Sequence, residues 1–592
     1  MYNVILLVVD SLSYERLIDH PLKDELFMYK CYKKYPKFDK LFSQAPYTEA
    51  AVMGLTCGQR VLDYGGYFKR LTNTPITIYE AFKENGYRTF NNTVQPHMYA
   101  SSLLRGLTDP IYNNCAEIES LYEYRVSHYI GLNNKGLLGD NELNEFSNLI
   151  EDYLSFLVEY YEDFINDDQK VSLIKPNVIG FDFKKIQNQI KEQLDIFNKD
   201  KKKYLYSLIE LKEEHPLYKI EFCYQNDKVR NDEFRKTFLE LTKPLKKRIE
   251  KLYFRKNLFS NKDKGHRLIK SFGRFITLKE PLVTFLKDVR ARQHCFFAPE
   301  NKERFSSKYD EFKNAPSLLS HLNNFDNWLK EVKDPYFAFI HFDDIHMGSS
   351  FLSYDFTDIN LLKEEINDAN HYLDNLPKRK AGNLCFDLGI YYVDRKIEDF
   401  INKLEKENRL VDTVVIVTGD HGYSTYYYPY RGYPGNTFFK DHYHIPFIFA
   451  HIPNGLKIDV KEDVLTSRHN SYSIPNTLLS LAGLKENKKF YGSSLFNDKN
   501  EYNLFEYLGG GCPDIHNKDL EYCYLDDEIS VSIKCKLDKD ITKENIYEIY
   551  DLKKDFMQNI NLVNKKHKAL DNKIYKIIDL VNKRHLEIRK QN

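Results

Sequence analysis

Two stretches decide the fold: Asn3–Ser11, NVILLVVDS, and Thr413–Gly422, TVVIVTGDHG. Each is an unbroken apolar run that ends on an acid. A run without polar alternation fits a strand buried on both faces, as in a parallel sheet that carries helices on its two sides. The first run, Val4–Val9, stops at Asp10, and the second passes through Gly419 into Asp420 and His421. Ligands of open parallel sheets gather beyond the carboxyl ends of the strands. Acids at two such ends, far apart in the chain, can therefore meet over one metal ion. Carboxylate oxygens with an imidazole nitrogen suit Zn²⁺ or Mn²⁺. Taken singly, Asp10 reads equally well as a turn or helix-cap residue.

Working outward, Thr77–Asn85 (TIYEAFKEN) reads as a helix closed by Gly86, and Tyr87–Thr89 starts another strand. Tyr336–Phe342 and Ile445–Ala450 read as further strands, and Leu388–Lys406 as a helix. Between 106 and 333 the character changes. Phe146, Leu149, Ile150, Tyr153, Leu154, Leu157 and Tyr161 recur at helical spacing, as do Ile186, Ile190, Leu194 and Phe197, with Lys and Glu filling the gaps. The expectation is a discontinuous α/β core over 1–105 and 335–502. A mostly helical, charged insertion occupies 106–334, and a smaller α+β part fills 503–592. In that last part Ile529–Leu537 alternates like a strand. Lys565–Lys590 reads as a basic helix whose Ile574, Ile577, Ile578 and Val581 pack on the body.

Lys+Arg and Asp+Glu both number 86, so the basic excess of a nucleic-acid-binding protein is missing. The first apolar run has the length of one strand, shorter than a secretory signal core, and no segment has the length of a membrane span. Nine scattered cysteines without a CxxC pair read as reduced thiols. Together these features predict a cytoplasmic protein with no nucleic-acid partner and no membrane span.

A third stretch, Ala45–Gly58 (APYTEAAVMGLTCG), adds a hydroxyl. Thr48 fits an N-cap, with a short helix Glu49–Thr56 stopping near Gly58. The hydroxyl either only caps, or stands where a helix N-terminus favours an anion and a nearby metal makes it a nucleophile.

In order along the chain, these segments resemble the alkaline phosphatase superfamily, specifically its sulfatase-like branch. NVILLVVDS is similar to the opening strand with its metal-binding Asp, and APYTEAAVMGLTCG to the nucleophile segment A-P-x-[C/S/T]-x-P-S-R-x-x-x-x-T-G, with Thr48 on the nucleophile. ENGYRT (84–89) resembles E-x-G-Y-x-T, and VDRKIEDFINKLEKENRLVDTVVIVTGDHG the long helix, strand and D-H-G metal motif. KDHYHIPF (440–447), SRHNSYSIPNTLLSLAGL and NIYEIYDLKKDFMQNINL resemble the later segments.

The resemblance implies an alkaline-phosphatase-like, mostly parallel central sheet flanked by helices. It also implies a divalent metal (Zn, Mn, Mg or Ca) held by Asp10, Thr48, Asp420 and His421. A two-metal relative would add Asp343, His346 and His444 at a second ion. His346 would otherwise meet the substrate's leaving oxygen, and Lys440 a non-bridging oxygen. Sulfatases carry Cys or Ser inside C-x-P-x-R for oxidation to formylglycine. Here Thr48 is followed by Ala50 and Val52 at the Pro and Arg places, and relatives with Thr are phosphodiesterases and phospho-group transferases. The implied activity is hydrolysis of phosphate or sulfate esters through Thr48 on a small-molecule or glycan ester. The alternatives are transfer of a phospho-substituent onto a surface-glycan precursor, or an inactive binding relative.

Overall fold

The structure is a computed structural model. It describes residues 1–66, 74–93, 105–106, 108–110, 129–130, 132–134, 136, 138–166, 182–211, 214–220, 240–245, 247–248, 318–342, 344–345, 359–376, 384–422, 438–508, 515, 519–555, 558, 560–564 and 568–591.

Among the described residues six strands form the central sheet: β1 (Asn3–Val9), β2 (Arg88–Thr93), β3 (Asp109–Pro110), β4 (Tyr336–Phe342), β5 (Thr413–Gly419) and β6 (Phe447–His451). Their spatial order is β3-β2-β4-β1-β5-β6. All pairs are parallel except β5–β6. Four further strands, β7 (Asn503–Tyr507), β8 (Asp519–Leu525), β9 (Ile529–Lys536) and β10 (Ile546–Asp551), make a separate antiparallel sheet in the order β10-β9-β8-β7. This is the expected architecture: a mostly parallel sheet flanked by helices, with a smaller α+β part after it.

Eleven of the helices matter here: α1 (Phe27–Lys34), α2 (Thr48–Cys57), α3 (Ile78–Glu84), α4 (Asp140–Asn166), α5 (Phe183–Lys199), α6 (Lys201–Leu211), α7 (Leu318–Glu331), α8 (Ile359–Asn375), α9 (Leu384–Lys406), α10 (Ile474–Leu481) and α11 (Lys568–Gln591). Side-chain parity sorts them. Ile5, Leu7 and Val9 of β1, Ala338, Ile340 and Phe342 of β4, and Val415 and Val417 of β5 pack on one face against α1, α7, α8 and α9. Val4, Leu6 and Val8, with Phe337, Phe339, Val414 and Ile416, pack on the other face against α2, α3 and α10. Both faces are covered, which is why Val4–Val9 could be continuously apolar: each is 0% exposed. Within the range read as an insertion, α4, α5 and α6 share a core of their own, whereas α7 lies on the central sheet through Leu318, Leu322, Phe325 and Trp328.

The helix carrying Thr48 is gripped from two sides. Val52 and Leu55 of α2 face the central sheet, while Ala50, Met53 and Cys57 join the core formed by the antiparallel sheet and by Ile574, Ile577, Ile578 and Val581 of α11. Gly58 ends α2 in the left-handed conformation, φ 58°, where a side chain is strained. The N-terminal half of α3 carries a capping box between Thr77 and Glu80.

A buried histidine couples this packing to pH. His20 accepts the Leu22 N–H on Nδ1 (3.2 Å) and donates Nε2–H to the Asp387 carbonyl (2.8 Å), an arrangement that only the neutral ring satisfies. Burial drives its pKa down to about 4. The unfolded chain therefore binds more protons between pH 6.5 and 4, and the stabilisation present above pH 6.5 is lost as pH falls through that window. The loss expected from His20 is about 3 kcal/mol. Urea unfolding at pH 7 and pH 4.5 should show a smaller pH difference for His20→Gln than for the wild type; equal differences would contradict the assignment.

Candidate metal centre and nucleophile

Register brings the donors together. Val8 pairs with His341 of β4 on one side and with Thr418 of β5 on the other. Counting on by two along β1 and β5 puts Asp10 and Asp420 on the face that His341 occupies, the face covered by α2. One donor atom from each of Asp10, His341 and Asp420 lies within 4.8 Å of the others, and all three residues are buried. His341 Nε2 is 4.0 Å from Asp10 Oδ2 and 3.8 Å from Asp420 Oδ2. His421 Nε2 is 3.5 Å from Asp10 Oδ1 and 3.6 Å from Asp420 Oδ2.

Thr48 closes the group. Its Oγ1 donates to Asp10 Oδ2 at 3.1 Å and stands 3.3 Å from His421 Nε2. Thr48 is the first helical residue, not the N-cap expected from sequence; Tyr47 holds the cap position and contributes no side-chain bond there. The hydroxyl faces the carboxylates instead of capping its own helix. The Gln44 N–H donates to Ser471 Oγ (3.2 Å) and its amide to Asn470 Oδ1 (2.7 Å), so the segment read as SRHNSYSIPNTLLSLAGL braces the approach to α2.

The residues fit a divalent cation. His421 Nδ1 donates to the Gly422 carbonyl (2.7 Å), which leaves the Nε2 lone pair directed at the acids. Asp420 Oδ1 accepts two backbone amides, from Ser11 (3.0 Å) and His421 (2.7 Å), while Oδ2 is buried with no hydrogen bond among the described residues. Two carboxylates at 0% exposure repel each other and lack hydration, an arrangement that costs several kcal/mol unless a cation offsets it. Oxygen and imidazole donors together suit Zn²⁺ or Mn²⁺. Gly422 permits the close approach of the backbone at Asp441: a Cβ there would meet the Asp441 carbonyl at 1.9 Å. Beside the cluster, burial and the neighbouring His341 push His321 down to about 3, so that ring stays neutral.

Other expected residues fall elsewhere. His444 is not part of this cluster: Nδ1 meets Glu15 Oε1 and Nε2 the Asp39 carbonyl, each at 2.7 Å. Its ring is stacked between Tyr14 and Phe42, with centroids 4.2 and 4.7 Å away. Both nitrogens are spent, so the reading of His444 as a ligand is corrected. The segment around it touches the centre through its backbone, the Gly422 N–H donating to the His442 carbonyl (2.9 Å). Lys440 opens a short helix, Lys440–Tyr443, and its side chain lies outside the described residues, as do Asp343 and His346. Asp344 accepts the Leu318 N–H at the start of α7 (3.0 Å). His341 was missed as a donor. Its signal was a single imidazole in the otherwise apolar strand YFAFIHF, at the level of Val8.

Residues 287–484 match the Sulfatase family model. That span contains His341, Asp420 and His421, and the motif likeness to the sulfatase-like branch of the alkaline phosphatase superfamily holds over it. No curated protein matches the chain. Solved structures that resemble it include the 2-O GAG sulfatase BT1596 (10% identity, 99% of this chain and 92% of that one, TM-score 0.48). An alkaline phosphatase superfamily protein from Vibrio parahaemolyticus is similar at 12% identity, over 100% and 88% of the two chains, with a TM-score of 0.46. The lipoteichoic acid synthase LtaP from Listeria monocytogenes is similar at 12% identity, over 100% and 91%, with a TM-score of 0.43. Among the described residues no helix is long and apolar enough to cross a membrane.

Proposed function

We propose that the chain is a divalent-metal-dependent enzyme that cleaves phosphate esters through Thr48. The observation that carries this reading is the position of Thr48 Oγ1, 3.1 Å from Asp10 Oδ2 and 3.3 Å from His421 Nε2, at the N-terminus of α2 and beside two buried acids. Asp10, Asp420, His421 and His341 would hold the ion. Bound there, it would supply Lewis acidity, lowering the pKa of the hydroxyl beside it and offsetting charge on phosphoryl oxygens.

The protein's own groups do the rest. Thr48 Oγ1 gives up its proton to water and attacks phosphorus in line; its bond to phosphorus forms as the ester P–O bond breaks, and the departing oxygen takes a proton from water and leaves as the alcohol. The first amides of α2, which have no carbonyl partner within the helix, face the equatorial oxygens, and the helix dipole favours the negative charge gathering there. The resulting phospho-threonine is released by water or by an acceptor hydroxyl. Oxidation of a secondary alcohol yields a ketone and not an aldehyde, which favours direct attack by the hydroxyl and phosphate esters over sulfate esters.

The test is turnover of bis(p-nitrophenyl) phosphate and p-nitrophenyl sulfate by the full chain with Mn²⁺ or Zn²⁺. Nitrophenolate should be released from the phosphodiester, cease on EDTA treatment and return when the ion is restored. Activity unchanged by EDTA, or sulfate turnover exceeding that of the phosphodiester, would contradict the reading. Adding glycerol separates hydrolysis from transfer: a glycerol phosphoester among the products marks a transferase.

A further inference from the structure

Ser11 is strained where strain is least expected. It is fully buried, bears a side chain, and sits at φ 67°, in the left-handed region that non-glycine residues rarely adopt. The turn that places it is tight, with the Leu12 N–H donating to the Val9 carbonyl (3.2 Å). Glycine would suit this backbone better, so the serine side chain needs a reason of its own.

The reason is visible in its two hydrogen bonds. Ser11 Oγ donates to Asp10 Oδ1 at 2.8 Å, and the Ser11 N–H donates to Asp420 Oδ1 at 3.0 Å. One residue thus restrains carboxylates from two different strands. Each is held by Oδ1: Asp10 then presents Oδ2 to Thr48 and His341 while its Oδ1 also stands 3.5 Å from His421 Nε2, and Asp420 presents Oδ2 to His341 and His421. The left-handed φ aims the amide at β5 while the hydroxyl reaches back to its own strand.

We propose that Ser11 is a positioning residue that sets both carboxylates for a divalent ion, its hydroxyl acting on Asp10 and its amide on Asp420. The inference rests on the metal-dependent reading above. Groups that orient metal-binding side chains typically govern affinity by about 10–100-fold.

Ser11→Gly separates positioning from packing. Glycine relaxes the backbone and keeps the amide bond to Asp420, but removes the hydroxyl. The experiment is calorimetric titration of the metal-free full chain with Mn²⁺, alongside thermal melting of the same metal-free samples. Ser11→Gly should melt at or above the wild-type temperature yet bind Mn²⁺ about tenfold or more weakly. Ser11→Ala should lose the same affinity and melt lower, because it keeps the strain. If Ser11→Gly binds Mn²⁺ within twofold of the wild type, the hydroxyl positions nothing and the inference is overturned alone. Asp420→Asn monitors the underlying reading. Should it bind as the wild type does, or should the wild type bind no Mn²⁺, the metal reading fails and takes this inference with it.

Discussion

Thr48→Ala is expected to lower turnover of a phosphodiester by at least about a thousandfold, because on the proposed reading it removes the attacking oxygen and not merely a contact. The fold should survive. The lost hydroxyl makes one hydrogen bond to Asp10, and a net bond of this kind contributes about 1 kcal/mol. Val52 and Leu55 still hold α2 on the central sheet, and Ala50 and Met53 hold it on the antiparallel one. Thr48→Ser should stay within about tenfold of the wild type, since it keeps an oxygen at the same place. Steady-state kinetics with saturating Mn²⁺, paired with circular dichroism of each variant, decides the matter. A folded Thr48→Ala protein that keeps more than a few per cent of activity would falsify the covalent scheme.

The second large effect lies at the far side of α2. Arg584 of α11 is buried, and its guanidinium forks onto Glu506 of β7, with Nη2 2.9 Å from Oε2 and Nε closing on Oε1. Its Nη1 is 2.8 Å from Asp63 Oδ1. Glu506 also accepts the Leu62 N–H (3.3 Å), so the chain just past Gly58 is tied to the antiparallel sheet. Arg584→Met leaves Glu506, at 0% exposure, without its counter-charge, and should cost about 3–5 kcal/mol in urea unfolding. The double variant Arg584→Met/Glu506→Leu should recover much of that, since the penalty comes from the stranded charge. Equal stability of Arg584→Met and wild type would remove the clamp from the account. Loosening this tie should also lower activity, because the segment it anchors continues the helix that presents Thr48.

These outcomes depend on features that were unequally legible in the sequence. β1 and β5 announced themselves because both faces of the sheet are covered and both strands stop on acids. Asp10, Asp420 and His421 could thus be picked out as polar residues ending apolar runs. Thr48 was singled out through the segment around it, with capping as the plain alternative for its hydroxyl. The cap position falls on Tyr47, and the Thr48 hydroxyl is drawn to a carboxylate whose nearness depends on tertiary packing. His341 was hidden inside an apolar strand; only the pairing of Val8 with both neighbours reveals that it shares a level and a face with the acids. His444 misled for the converse reason. It stands in a segment that adjoins the centre, yet Glu15 and the Asp39 backbone take its two nitrogens, and nothing in the local pattern foretells partners so distant in the chain. The helices α4 and α5 were readable by periodicity alone, since the core they share with α6 is built largely from apolar stripes.

The order of the donors along the polypeptide carries a consequence for biosynthesis. Of these donors Asp10 and Thr48 leave the ribosome first, His341 well after them, and Asp420 with His421 later still. A nascent chain therefore carries an isolated acid and alcohol until β5 is made, and on the proposed reading would gain its full affinity for the ion only once β5 has inserted beside β1. On the metal-dependent reading proposed above, loading with the ion would in this sense be a late maturation step.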